Sequence, residues 1–307
     1  MKPGRFLIYL GLLYVVSCWA LNSVILKRTL EDFSPLALTG LRFVIMTPLA
    51  LLLAKLRGER IHIERRDLPI LIACAACGYG VYQYLWIVGL AHTTAFASAL
   101  FGSLTPILTL GIVAATGHER VRSGRWSGAI LAIVGVAVFE GAFSGRFSVR
   151  LGDGLTLGAA LVFALYNVLS ARLLGRYSPL SLLAITMFFG MLMILPGAIP
   201  AFVHQDFTRV TPADWGAFAY ATLFPVLLTY PVWSYGITQL GAGRTSLFAY
   251  LLPILAGVFS VLILHSHITG YEIAGIAICI AGMALSQLIG GVSLTALWAQ
   301  RTLPVER

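Results

Sequence analysis

Tyr79, Tyr82, Gln83 and Trp86 stand at i, i+3, i+4 and i+7, a spacing that lines them along one face of an α-helix. Aromatic walls with a few fixed hydrogen-bonding groups suit the capture of a small molecule. A second set lies far along the chain, with Thr229, Tyr230 and Trp233 in the same relative order. Ser98 and Phe101 are answered by Thr245, Phe248 and Tyr250, and Asn22 and Asn167 fall in the middle of apolar runs. Polar side chains inside such runs usually face the protein interior. Two readings stay open for them: a cavity, which the face from Tyr79 to Trp86 favours, or interfacial belts and helix-to-helix hydrogen bonds.

Catalysis is the poorer use of these residues. His62, His92, His118, His204, His265 and His267 all fall in connections or at the ends of apolar runs. No HExxH, paired Asp or GxSxG motif occurs, so a positioned nucleophile, base or metal at depth is missing. Cys18, Cys74, Cys77 and Cys279 lie inside apolar runs. The single CxxC has no second pair or His cluster beside it, which favours helix packing over metal or redox work. No cofactor or metal is expected, and an intramembrane enzyme is the remote alternative.

The elements that position these residues follow from composition. The chain has 307 residues, 59% hydrophobic and 11% charged, against roughly 25% charged in soluble domains. Runs of about 20 apolar residues match the thickness of a bilayer core crossed by an α-helix. Ten spans are predicted, near 6–27, 35–56, 68–90, 94–116, 125–143, 153–173, 179–203, 214–237, 244–265 and 270–290. The first is too long for a signal-peptide core and is read as retained. Gly78-Tyr79-Gly80 has the look of a potassium filter, but it falls inside a span rather than in a re-entrant loop.

The net charge of +9 reflects topology and not nucleic-acid binding. Fifteen of the 21 Lys and Arg lie at the termini and in one set of alternate connections, and five lie in the other set. The positive-inside rule then puts both termini in the cytoplasm. Arg42 sits two turns inside the second span. Its position favours snorkelling to the outer interface, with service to a substrate carboxylate as the other use.

A shift of 147 residues lays 97–108 on 244–255, pairing Leu100, Phe101, Leu104 and Pro106 with Leu247, Phe248, Leu251 and Pro253. It also pairs Trp86 with Trp233, Gly89 with Gly236, Gly128 with Gly275 and Gly135 with Gly282. A shift of 144 pairs Ser34-Pro35-Leu36 with Ser178-Pro179-Leu180. The chain therefore reads as a duplicated five-helix unit, 1–145 and 146–290, followed by a cytoplasmic tail at 291–307. Five is odd, so the second copy enters from the opposite face, an inverted repeat of the kind that supports alternating access. Pro106 and Pro253 lie mid-span, where proline removes a backbone hydrogen bond and can act as hinge or kink. The Gly pairs stand two turns apart and are assigned to close helix packing.

Taken together these residues resemble the drug/metabolite transporter superfamily, specifically the EamA-type exporters with ten helices. The resemblance rests on Trp19-Ala20 with Lys27, Ser34-Pro35 with Arg42-Phe43, Leu104-Thr105-Pro106, Gly117-His118-Glu119, and Gly128 with Gly135. The second copy departs from it at Thr186-Met187 and Ser266. The resemblance implies an exporter in the bacterial inner membrane, closest in its aromatic central helices to the branch that exports aromatic and other neutral amino acids. The expected partners are that solute and membrane lipids; the oligomeric state is not fixed, and a monomer suffices. No acidic residue lies at the centre of a span, which favours facilitated diffusion. Drugs, nucleobases or other metabolites as cargo, and proton-coupled antiport, remain alternatives.

Overall fold

The computed structural model describes residues 5–59, 61–116, 123–141, 150–174, 176–240, 248 and 251–288. These are helical, with no strand among the described residues. They form ten spans: α1 (Arg5–Thr29), α2 (Pro35–Leu56), α3 (Arg65–Ala91), α4 (Ala95–Ser103 and Thr105–Ala115), α5 (Ser123–Phe139), α6 (Leu151–Leu173), α7 (Pro179–Val203), α8 (Pro212–Leu223, Phe224–Leu228 and Thr229–Leu240), α9 (Leu251–Leu264) and α10 (Gly270–Leu288). Five continuous helices, α1, α2, α3, α6 and α7, are long and apolar enough to cross a membrane. Gly117-His118-Glu119 and the tail after 288 lie outside the described residues.

Local chemistry sets the helix ends. Ser34-Pro35 and Ser178-Pro179 open α2 and α7 with serine at the cap and proline in the first turn, where its missing N–H costs nothing. Thr211 and Asp214 form a capping box at the start of α8. Lys27 donates from Nζ to the carbonyls of Leu90 and Ala91, both at 2.9 Å, and so closes the carboxyl end of α3 with a cation.

Proline shapes α4 locally. Pro106 cannot donate to the Gly102 carbonyl, so the helix breaks at Leu104 and Thr105 Oγ1 donates to that carbonyl at 2.8 Å instead. Pro253 is buried in the first turn of the described segment of α9.

The packing pairs map onto one another when the two halves are exchanged. α1 packs on α8 as α6 packs on α3, and α1 on α9 as α6 on α4. α2–α7, α4–α9 and α5–α10 each join a helix to its own counterpart. The α5–α10 seam is the most extensive, and glycine makes it. A methyl carbon at Gly128 would stand 2.3 Å from the Ser286 amide nitrogen, and one at Gly135 would stand 2.3 Å from that of Cys279. From the other side, one at Gly282 would meet the Ala132 nitrogen at 2.3 Å. Backbones this close gain van der Waals contact that any side chain would forbid.

Candidate functional site

The aromatic face of α3 is interrupted by a turn that periodicity does not reveal. Residues Ala76–Gly80 form a π-turn between two α-helical stretches, and Phe224–Leu228 do the same in α8. Such turns add a residue and rotate the rest of the helix about its axis; they recur at functional sites. Packing holds the α3 turn in place. Gly78 lies under the Tyr166 ring, and Gly190 of α7 lies against the Tyr79 Cβ, so that a methyl carbon at either would sit within 2.5 Å of its neighbour.

The turn splits the four-residue face. Tyr79 is 4% exposed and packs with Phe43, Met46, Leu183 and Met187, deeper than Tyr82, Gln83 and Trp86, which are half-buried. Tyr82 and Trp86 stack at 6.5 Å, and Tyr82 lies 4.8 Å from Phe163 of α6. Phe163 stacks on Tyr166 at 5.2 Å, Tyr166 meets Tyr79 edge-on at 5.8 Å, and Tyr79 meets Phe43 at 6.3 Å. The result is a continuous run of six rings from α2 through α3 and α6. Centroid spacings of this kind are the favoured edge and offset geometries.

Exchange of the two halves maps α3 with α6 onto α8 with α1, and a counterpart is built there. Trp19 and Trp233 lie 5.0 Å apart. Trp19 Nε1 donates to the Pro225 carbonyl and to Thr229 Oγ1, both at 2.9 Å. Thr229 in turn donates to the Pro225 carbonyl at 2.7 Å. Thr229 is fully buried, so its hydroxyl is engaged in fixing α1 on the π-turn of α8.

Several buried acceptors and donors have no partner among the described residues: Asn22 Oδ1, Gln83 Oε1, Ser98 Oγ, and Nε and Nη1 of Arg42. Arg42 is 2% exposed and donates from Nη2 to the Ala221 carbonyl of α8 at 3.0 Å. It does not snorkel, contrary to the expectation from its position. An acceptor in α8 draws it inward: the Ala221 carbonyl would be met by residue 225 in an α-helix, and Pro225 has no N–H.

Phe101 falls elsewhere. It packs in the α4–α5–α10 core with Phe96, Ala132 and Met283, away from the ring run, because its turn of α4 faces that seam. Phe248 stacks on Tyr9 of α1 at 6.0 Å. Asn167 is half-buried on α6. Tyr230 belongs to α8, and its side chain, like the whole of Thr245 and Tyr250, lies outside the described residues. Phe163, Tyr166 and Trp19 complete the aromatic assembly, although spacing alone does not single them out. The 144-residue shift lays Trp19 on Phe163, an aromatic at matching positions that could have disclosed both.

Two cavities lie away from these rings. One, about 460 Å³, is bounded by Glu59, His62, Glu64, Arg176, Tyr177 and Ser181 at the α2–α3 and α6–α7 connections. Beside it Asp67, 1% exposed, accepts from Tyr177 Oη at 3.1 Å and pairs with Arg176. Burial pushes the Tyr177 hydroxyl above its ordinary pKa. The other, about 70 Å³, is bounded by Thr94, Ala97, Phe139, Glu140, Arg150 and Glu272. α5 ends at Phe139, which leaves Glu140 in the turn beyond the helix. Burial, with Asp153 adding repulsion, raises the Glu140 carboxyl to about 7.

Known proteins resemble this chain over most of its length. The EamA-like transporter family matches residues 6–140 and 150–288. A probable terminal-alkyne amino-acid exporter of Streptantibioticus cattleyicolor is 27% identical, covering 90% of this chain and 91% of its own. The probable amino-acid metabolite efflux pump of Escherichia coli is 25% identical over 89% of this chain and 92% of its own. An uncharacterized transporter of Bacillus subtilis, YetK, is 27% identical over 85% and 81%. One crystal structure superposes with a TM-score of 0.65 at 20% identity, covering 92% of this chain and 96% of its own; that likeness concerns the fold.

Proposed function

This chain belongs to the EamA-like transporter family, a multi-pass membrane family, and from that premise we propose that it exports aromatic and other neutral amino acids. The observation that carries the reading is the six-ring run joining Phe43, Tyr79, Tyr166, Phe163, Tyr82 and Trp86, with the unpartnered acceptor of Gln83 beside it. Aromatic walls suit a ring, and fixed polar groups suit an amino acid's backbone. The names of the Streptantibioticus and Escherichia relatives point the same way. Tyr79, Tyr82, Gln83, Trp86, Asn22, Ser98, Thr229 and Trp233 are the described residues of the proposed site and its support.

Two five-helix halves, 1–145 and 146–290, alternate access about this site as an inverted repeat, with Pro106 and Pro253 as hinges. The exchange symmetry of the helix pairs supports that arrangement. The Lys and Arg distribution supports cytoplasmic termini in a bacterial inner membrane, and the lack of a mid-span acid supports uniport.

The test is entry of radiolabelled phenylalanine or tryptophan into liposomes holding the purified protein, with no ion gradient. Saturable entry above empty liposomes is expected. No entry with or without a pH gradient would overturn the amino-acid reading. Glu140, with its carboxyl raised to about 7, favours a second reading, proton-coupled antiport. Entry that begins only once a pH gradient is imposed would establish it in place of uniport.

A further inference from the structure

Arg42 is the buried cation that the fold leaves half used. Its guanidinium is 2% exposed and donates from Nη2 to the Ala221 carbonyl at 3.0 Å, while Nε and Nη1 are unpartnered among the described residues. An arginine keeps its charge in proteins, and a buried charge without a counter-ion is costly. Such a group persists where something else supplies the counter-charge.

The donors left over on Arg42 match one kind of partner. Nη2 carries two hydrogens and Ala221 takes one. The other, together with the hydrogen of Nε or Nη1 on the same edge, forms an intact two-pronged donor. A carboxylate matches that fork with two parallel N–H···O bonds. The hydrogen bond to Ala221 fixes the fork's orientation on α8, because Pro225 leaves that carbonyl without its α-helical donor.

The surroundings identify the rest of the ligand. Phe43, the residue after Arg42, meets Tyr79 of the ring run at 6.3 Å, and Tyr82 continues that run 4.8 Å from Phe163 and 6.5 Å from Trp86. Gln83, the next residue, has a buried Oε1 with no partner among the described residues, the complement of an ammonium N–H. A cationic fork, an aromatic wall and a neutral acceptor are thus carried by neighbouring turns of α2 and α3.

The second half shows that the fold does not require this charge. The 144-residue shift puts Thr186 of α7 at the matching place. Thr186 is fully buried and satisfies its hydroxyl on the Leu182 carbonyl of its own helix at 2.7 Å. A neutral residue fills the equivalent slot, so the cation serves something present once per molecule.

We propose that Arg42 anchors the carboxylate of the transported solute, which restricts the substrate class to carboxylate-bearing aromatic compounds such as zwitterionic amino acids. The proposal rests on the amino-acid export reading and names the group that selects within it.

The test measures how analogues at equal concentration inhibit radiolabelled phenylalanine entry into liposomes holding the full chain. The analogues are 3-phenylpropionate, which keeps the carboxylate, and phenethylamine, which keeps the amine. In the wild type, 3-phenylpropionate should inhibit and phenethylamine should be weaker by about tenfold or more. Arg42→Gln keeps a donor for Ala221 but removes the charge. It should lower phenylalanine entry by a similar factor and erase the preference for the carboxylate. A well-folded Arg42→Gln protein that keeps the wild-type preference would overturn the proposal. Should that variant fail to fold, equal inhibition of the wild type by both analogues would overturn it as well. A wild type that moves no phenylalanine removes the export reading and this anchor together, a result distinct from an active but indiscriminate carrier.

Discussion

The indole of Trp19 donates to Thr229 Oγ1 at 2.9 Å, and its counterpart under exchange of the two halves is the 4.8 Å contact of Phe163 with Tyr82. One side of the assembly is thus locked by hydrogen bonds and the other is held by ring packing. A Trp19→Phe variant keeps a ring against Trp233 and removes the donor to the Pro225 carbonyl and Thr229. The Pro225 carbonyl keeps its bond from Thr229, so the loss is that of a partly buried hydrogen bond, about 0.5–1.5 kcal/mol. The thermal midpoint of the purified protein in detergent should fall accordingly, and an unchanged midpoint would show the indole N–H to be dispensable.

The α5–α10 seam makes a sharper demand. At Gly128 a methyl group would collide with the backbone of Ser286 at 2.3 Å, whereas at Gly111 nothing lies within 4 Å. Gly128→Ala must therefore push the backbones of α5 and α10 apart, an overpacking cost of about 1–3 kcal/mol. Gly111→Ala should be neutral or slightly stabilising, since alanine favours the helix. Thermal melts of the two variants compare the positions directly; equal midpoints would contradict a seam closed by glycine.

Much of this was legible in the chain. Hydropathy marks the ten spans, Ser-Pro marks two helix starts, and the 147-residue offset picks out the four glycines of the α5–α10 seam, which meet crosswise, Gly128 with Gly282 and Gly135 with Gly275. These features depend on solvent preference and on local backbone chemistry, which the residues carry themselves. The register of α3 was not legible. Its π-turn depends on Gly78 meeting Tyr166 and on Tyr79 meeting Gly190, contacts made by distant helices. Arg42 was misplaced at the interface for a related reason: its acceptor, the Ala221 carbonyl, becomes a neighbour only when α2 packs on α8. Phe101 had the right type for a pocket wall, and only the packing of α4 assigns it to the core.

The Asp67 carboxylate joins the start of α3 to the α6–α7 connection through Tyr177 and Arg176. Asp67→Asn keeps an acceptor for Tyr177 and removes the charge that Arg176 pairs with. Arg176 is 38% exposed, so water compensates it in part. The variant should lose less stability than the roughly 3–5 kcal/mol typical of a fully buried pair broken on one side. If this latch separates the two helices during the transport cycle, Asp67→Asn should also change the rate of phenylalanine entry per folded molecule. A rate unchanged in a destabilised variant would make the pair a purely structural tie.

Glu140 gives the protein a pH dependence with a definite sign. Its carboxyl lies at about 7, raised chiefly by burial and next by the charge of Asp153, against an ordinary value of 4.5. Between those two values the folded state holds a proton that the unfolded state has released. Stability must therefore be greatest below the lower value, fall as pH rises towards about 7, and level off above it. Arg150 opposes the shift and Glu272 reinforces it, so the slope belongs to this cluster at the small cavity by Thr94 and Phe139. Glu140→Gln replaces the titrating group with a neutral one of the same shape. The variant should match the wild type near pH 4 and exceed its thermal midpoint near pH 8. Melting curves taken across that range decide the matter: parallel pH profiles for the two proteins would show that Glu140 does not titrate near neutrality. Profiles that converge towards low pH would identify the carboxyl whose protonation a pH gradient could reach, the observation on which proton-coupled antiport depends.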